Sequence, residues 1–142
     1  MVGRIFEPLE CWKNSRENRP TIPITLYTID GRTAIKREFM PVDTGFAGAM
    51  LLTRESFSYF ETAELPESES RIYRTLLGPV PMRTARAIIR LPQDEEIEIL
   101  VDSPVYGLGK SLVGLQVINK FELLLNGPKS ETCVVSERQD RH

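Results

Sequence analysis

The stretch Phe39-Met40-Pro41-Val42-Asp43-Thr44-Gly45-Phe46-Ala47-Gly48-Ala49-Met50-Leu51-Leu52 decides the reading of this chain, because it puts an acidic residue where a core strand would otherwise continue. Apolar or small residues flank Asp43 on both sides, so its carboxylate is expected where ionisation is penalised unless other groups compensate. An aspartate in such a place needs a structural or a chemical reason.

Outward from that stretch the chain alternates short strands with turns. On the N-terminal side, Ile22, Ile24 and Leu26 fall on one face at period 2, Asp30-Gly31 suits a two-residue hairpin turn, and Thr33 to Val42 returns antiparallel. On the C-terminal side, Ala49 to Leu52 reads as a short buried strand and Thr53 as the N-cap of a short helix over Arg54 to Phe60. Thr62 to Ser70 is acidic and aperiodic, a solvated loop. Ile72 to Leu77 and Met82 to Leu91 form a second hairpin joined by Gly78-Pro79-Val80-Pro81, with Ala85, Ala87, Ile89 and Leu91 on one face. Ile97, Ile99 and Val101 alternate with Glu96, Glu98 and Asp102, which puts Asp102 on the polar face of a half-exposed strand. Leu115 to Lys120 suits one or two helical turns, and Phe121 to Leu125 and Thr132 to Val135 suit the last strands. Many short strands with Gly and Pro turns predict an all-β domain, a small barrel or sandwich, with one or two short helices. Residues 1–20 form an N-terminal arm without clear period, 21–135 the domain, and 136–142 a charged flexible tail.

Composition narrows the chemistry. With 142 residues, 41% hydrophobic and 27% charged, the chain suits one compact domain. The net charge of −2 is spread along the sequence, so no basic stripe is present to hold nucleic acid. No apolar run approaches the roughly 20 residues that span a bilayer, and the first residues show no signal-peptide core, so a cytoplasmic protein is expected. Cys11 and Cys133 read as two reduced, buried thiols, with pairing left open. The single histidine, His142, is the last residue. Ser-His-Asp, Cys-His and histidine-based metal chemistries therefore lack their central part, no metal or cofactor is expected, and carboxylates remain for acid–base work.

Val42-Asp43-Thr44-Gly45, followed by the run Phe46 to Leu52, resembles the active-site loop of retropepsin-like aspartic proteases. Leu112-Val113-Gly114 resembles the family's hydrophobic-hydrophobic-glycine segment, which threads past the catalytic loop and leads into a helix. The order of pieces over Ile22 to Asn126 matches, and Asp-Thr-Gly-Phe-x-Gly-x-Leu-Leu looks like the single-domain prokaryotic members. The resemblance implies a small closed-barrel fold, one half of a pepsin-like bilobal architecture. It implies Asp43 as the catalytic residue, Thr44 and Gly45 as support of its loop, and Leu112, Val113 and Gly114 as the segment beneath. Phe46, Leu77, Gly78, Pro79 and Val80 become the substrate-binding or flap candidates.

Two carboxylates held about 3 Å apart share a proton, so one acts as base on a water while the other protonates the scissile carbonyl. One Asp-Thr-Gly supplies half of such a dyad, so a peptidase of this kind is a homodimer with Asp43 of each subunit near the two-fold axis. The resemblance adds that terminal strands interleave between subunits, which gives the arm around Trp12 and the Thr132 to Val135 strand a place in the interface. The substrate that the resemblance implies is an extended or unfolded polypeptide. Phe46 stands where the viral pattern has a small residue, and a tip with Pro79 and Pro81 is stiffer than a glycine-rich flap. Two other readings stay open. Asp43-Thr44-Gly45 also fits a structural Asx-type turn, and the whole chain also fits a non-catalytic dimeric peptide-binding or scaffolding module.

Overall fold

In the computed structural model, residues 3–92 and 94–140 are described, with the side chains of Arg4 and of residues 137–140 left aside. In chain order the elements are β1 (Gly3–Lys13), β2 (Thr21–Tyr27), β3 (Thr33–Pro41), β4 (Met50–Leu51), α1 (Arg54–Phe57), β5 (Ile72–Thr75), β6 (Gly78–Arg90), β7 (Glu96–Pro104), β8 (Leu112–Val113), α2 (Leu115–Ile118), β9 (Glu122–Asn126) and β10 (Glu131–Asp140). Short 3₁₀ segments cover Ser58–Ala63 and Glu67–Glu69. Among the described residues no helix is long and apolar enough to cross a membrane.

The larger sheet has the order β3-β2-β6-β7-β4-β8, with β5 attached to β6. Its strands do not close into the expected barrel. The two ends of the path, β3 and β8, approach only through a single bridge between Val42 and Val113. The inward faces follow the period-2 pattern of the sequence: Ile22, Ile24 and Leu26 from β2, and Ala85, Ala87 and Ile89 from β6, all have no exposed surface. Phe57 and Phe60, from the turns after Thr53, complete this core. Thr53 caps α1 as its position predicts, its Oγ1 accepting from the Ser56 amide at 3.2 Å.

The ends of the chain depart from the sequence reading. Residues 3–13, aperiodic in sequence, form β1, and β10 continues to Asp140, past residue 136 where the charged sequence predicts a tail. The two strands pair antiparallel from Gly3–Asp140 to Lys13–Glu131, and β9 covers the other edge of β10. Trp12 is buried in this chain's own core. Mutual pairing explains why periodicity missed these strands: a ladder satisfies its backbone groups even where side chains are charged on both faces. The same register sets Cys11 opposite Cys133, and the two are joined as a disulfide rather than held as reduced thiols.

Turns were also displaced. The β2–β3 connection runs from Thr28 to Arg32, closed by Thr28 N–H donating to Arg32 O at 2.8 Å and by Gly31 at φ +90°, and is longer than the two-residue turn expected at Asp30-Gly31. In the second hairpin the turn is Leu76-Leu77. Gly78, Pro79, Val80 and Pro81 belong to β6, paired with Thr75, Arg74, Tyr73 and Ile72. Gly78 at φ +113° lets the chain reverse one step earlier than the prolines suggested.

Candidate active site

Asp43 sits just past the end of β3, on a loop pinned to the segment that follows β8. Val42 bridges Val113, and the Asp43 amide donates to Val113 O at 2.8 Å. Further along, Gly114 N–H donates to Ala49 O at 2.8 Å, Leu115 N–H to Phe46 O at 2.9 Å and Gln116 N–H to Gly48 O at 3.1 Å. Backbone thus locks residues 42–49 to 113–116 without calling on any side chain. Gly114 permits this approach: a Cβ there would fall within contact distance of Gly48 O, and 2.8 Å from Phe46 O. The sequence-predicted Leu112, Val113 and Gly114 do lie beneath the loop, with Leu112 and Val113 buried.

The loop itself is a tight turn. Phe46 N–H donates to Asp43 O at 3.2 Å, and Gly45 N–H donates to Asp43 Oδ1 at 2.8 Å. A side chain on residue 45 would crowd that carboxylate oxygen, with its Cβ only 3.1 Å away. The Gly45 bond is the one an Asx-type turn requires, and an aspartate held for catalysis uses the same bond to fix its orientation. The setting is less apolar than the flanking residues suggest: Asp43 is half-buried in the single chain, with Thr44 and Gly45 exposed beside it.

Phe46 does not point into open space. It is buried with Leu51, Met82 and Leu112 in a second apolar cluster, against which Tyr73 and Val80 of the β5–β6 hairpin pack. Phe46 and Tyr73 rings lie 4.9 Å apart, tilted by 54°. Val80 is therefore drawn toward the loop, whereas Leu77 at the hairpin turn is fully exposed together with Leu76. Gly78 and Pro79 line a groove on the hairpin with Ile72, Arg74 and Thr75.

The residue that the sequence reading placed wrongly is Asp102. It has no exposed surface, although strand alternation assigns it to the polar face. The reason is what lies over β7: Arg71 and Tyr73, from the start of the β5 hairpin, sit on the side that alternation assigns to solvent, Thr84 flanks Asp102 from β6, and Val101, Asp102 and Ser103 are all buried. Arg71 meets the Asp102 carboxylate through Nη2 and through Nε, the latter at 3.3 Å, while Thr84 Oγ1 donates at 2.7 Å and Tyr73 Oη at 3.1 Å. Arg71, Tyr73 and Thr84 were not candidates either. No local signal marks them, because their shared partner lies 18 to 31 residues away along the chain.

One grouping could in principle serve a metal: Cys11, Glu131 and Cys133 have ligand atoms within 4.8 Å of one another. With both sulfurs in the disulfide, no thiolate is left there to ligate.

No family model matches the chain, and no curated protein sequence matches it. Its fold is similar to the crystal structure of a retropepsin-like aspartic protease from Rickettsia conorii, with a TM-score of 0.54 over 99% of this chain and 95% of that one, at 15% sequence identity. The likeness spans both chains nearly end to end, and what it shows is the fold: a mainly β, retropepsin-like domain with short helices.

Proposed function

We propose that the chain is an aspartic endopeptidase acting on extended or unfolded polypeptides as a C2 homodimer, with Asp43 of each subunit forming the dyad. The observation that carries the proposal is the loop itself. An Asp-Thr-Gly turn, half exposed, is clamped by backbone hydrogen bonds on a Leu-Val-Gly segment within a retropepsin-like fold. Rigid placement of a carboxylate beside open space is what a shared-proton dyad needs, since the second carboxylate must arrive from outside this chain. Thr44 is exposed next to Asp43 and in this reading would bond across to the partner loop, and Gly45 leaves Oδ1 room. An extended peptide would lie between the subunits and add to the hairpins by strand pairing.

Dimerisation in this proposal differs from simple interleaving of loose ends. β10 already has β1 and β9 as neighbours within the chain, so the outer edges of those two strands, with exposed Phe6 and Leu9 on β1, are the parts left to pair. A cytoplasmic location belongs to the same reading. The Cys11–Cys133 bond is at odds with a reducing compartment, so thiol trapping of protein taken directly from cells decides that point.

The test is the mass in solution by light scattering, followed by cleavage of an unfolded protein with and without an active-site-directed inhibitor. A dimer that cleaves and is inhibited supports the proposal. A strict monomer, or a dimer that binds peptide without turnover, moves the chain to the reading of a non-catalytic peptide-binding module; the specific feature on that side is the pair of prolines in the flap strand.

A further inference from the structure

Asp102 is a fully buried carboxylate that dyad chemistry does not use, and the groups around it come from distinct parts of the chain. Arg71 leads into β5, Tyr73 lies within it, Thr84 lies on β6, and Asp102 itself lies on β7. Its own backbone faces the other way: Asp102 O accepts from Leu52 N–H at 2.8 Å, which ties it to the end of β4. The Tyr73 phenol is held above its usual range by burial and by the Asp102 charge, so it remains a neutral donor to that carboxylate.

Tyr73 is the link to the Asp43 loop. Its ring packs on Phe46 at 4.9 Å, and its hydroxyl passes over Gly48 so closely that a Cβ on residue 48 would come within 2.5 Å of it. The hairpin needs such a link. Among the described residues β5 pairs with β6 alone, and two-stranded hairpins are marginal by themselves. Pro79 and Pro81, opposite Arg74 and Ile72, bring no amide donors to that ladder. A charge-assisted, buried anchor at the base supplies what the ladder lacks.

We infer that Asp102 is a positioning residue of the candidate site: through Arg71, Tyr73 and Thr84 it fastens the base of the β5–β6 hairpin to the loop that carries Asp43, and so sets where the hairpin stands relative to that loop. The catalytic half of this inference rests on the peptidase reading above; the mechanical half does not.

The experiment is hydrogen exchange read by mass spectrometry on the full chain, comparing the native protein with Tyr73→Phe and Asp102→Asn. Tyr73→Phe keeps the ring against Phe46 and removes only the hydroxyl donor, so it remains folded even where Asp102→Asn does not. Amides of residues 72–80 should exchange about tenfold faster in Tyr73→Phe, the equivalent of one lost hydrogen bond to a charged group, with residues 21–41 unchanged. Peptide cleavage by the same variant should show KM raised about fivefold with kcat within about twofold, because the hairpin must be ordered at the expense of binding. Unchanged exchange over residues 72–80 overturns the inference. An equal acceleration over residues 21–41 in Tyr73→Phe also overturns it, since the hydroxyl would then act on the whole fold and not on the hairpin. A native chain that cleaves nothing overturns the peptidase reading and the catalytic half with it, while the exchange data decide the mechanical half independently.

Discussion

Asp43 and Asp102 are held by opposite means. Asp43 receives the Gly45 backbone amide on a loop braced from below, and its surroundings are half open. Asp102 is enclosed and takes hydrogen bonds from a guanidinium, a threonine and a tyrosine hydroxyl. A carboxylate ringed by side-chain donors has its charge balanced and its lone pairs occupied, which suits a fastener and not a base. A carboxylate oriented by backbone and left partly open can exchange a proton with something that arrives. In the reading proposed above, chemistry therefore belongs to the less buried aspartate and mechanics to the more buried one.

The largest effect that would break this assignment concerns Asp43. Asp43→Asn is expected to lower peptide cleavage by about ten-thousand-fold, the upper range of what acid–base groups contribute, while the melting temperature stays close to that of the native chain. Cleavage retained in that variant would place the chemistry elsewhere. The native activity should favour acidic pH, because one carboxylate of the pair must keep its proton, and a profile flat from about pH 4 to 9 would exclude a shared-proton dyad.

Asp102→Ala should do the reverse, with its main effect on stability. Removing one partner of a buried pair costs about 3–5 kcal/mol, and the low end applies here because the Arg71 side chain keeps 26% of its surface exposed and can turn to water. Denaturant unfolding measures it; a loss below about 1 kcal/mol, within the range of an ordinary surface substitution, would show that the cluster is not the anchor its geometry indicates.

Gly114→Ala tests the brace under Asp43. The added Cβ would meet the carbonyl oxygens of Gly48 and Phe46, both backbone, so the loops must separate at a cost of about 1–3 kcal/mol. Activity should fall more than stability accounts for, since the shift moves Asp43 itself; an unchanged kcat in the folded fraction would mean that loop placement tolerates more slack than the hydrogen bonds suggest.

How much of this was legible in the sequence follows from the kind of force at each place. The faces of β2 and β6 were legible because burial on one side imposes period 2, and Ile22, Ile24, Leu26, Ala85, Ala87 and Ile89 obey it. The pairing of Asp-Thr-Gly with Leu-Val-Gly was legible only through resemblance, since nothing local joins residues 43 and 113. Asp102 was not legible because alternation assumes one wet face, and Arg71 and Tyr73, distant in sequence, cover it. β1 and the end of β10 were missed because each is stabilised by the other's backbone, and Cys11–Cys133 followed from their register, which composition does not encode. The turn at Leu76-Leu77 was not legible because Pro79 and Pro81, ordinarily turn residues, lie within β6, and the reversal is made at Gly78.

The smallest expected effect lies on the same β6–β7 ladder that carries Thr84 and Asp102. Toward its other end Arg86 meets Glu98 at 2.5 Å, and Arg90 meets Glu96 at 3.1 Å, each side chain about half exposed. The chemistry is again arginine and carboxylate, and on distance alone the Arg86 pair ranks with Arg71 and Asp102. Water decides otherwise: solvent screens both charges, and ordering two long side chains offsets much of the attraction, so Arg86→Ala should change stability by no more than about 0.5 kcal/mol and less at high salt. A loss comparable to that of Asp102→Ala would mean that burial is not what separates the two pairs, and the reason for reading Asp102 as the hairpin's anchor would go with it.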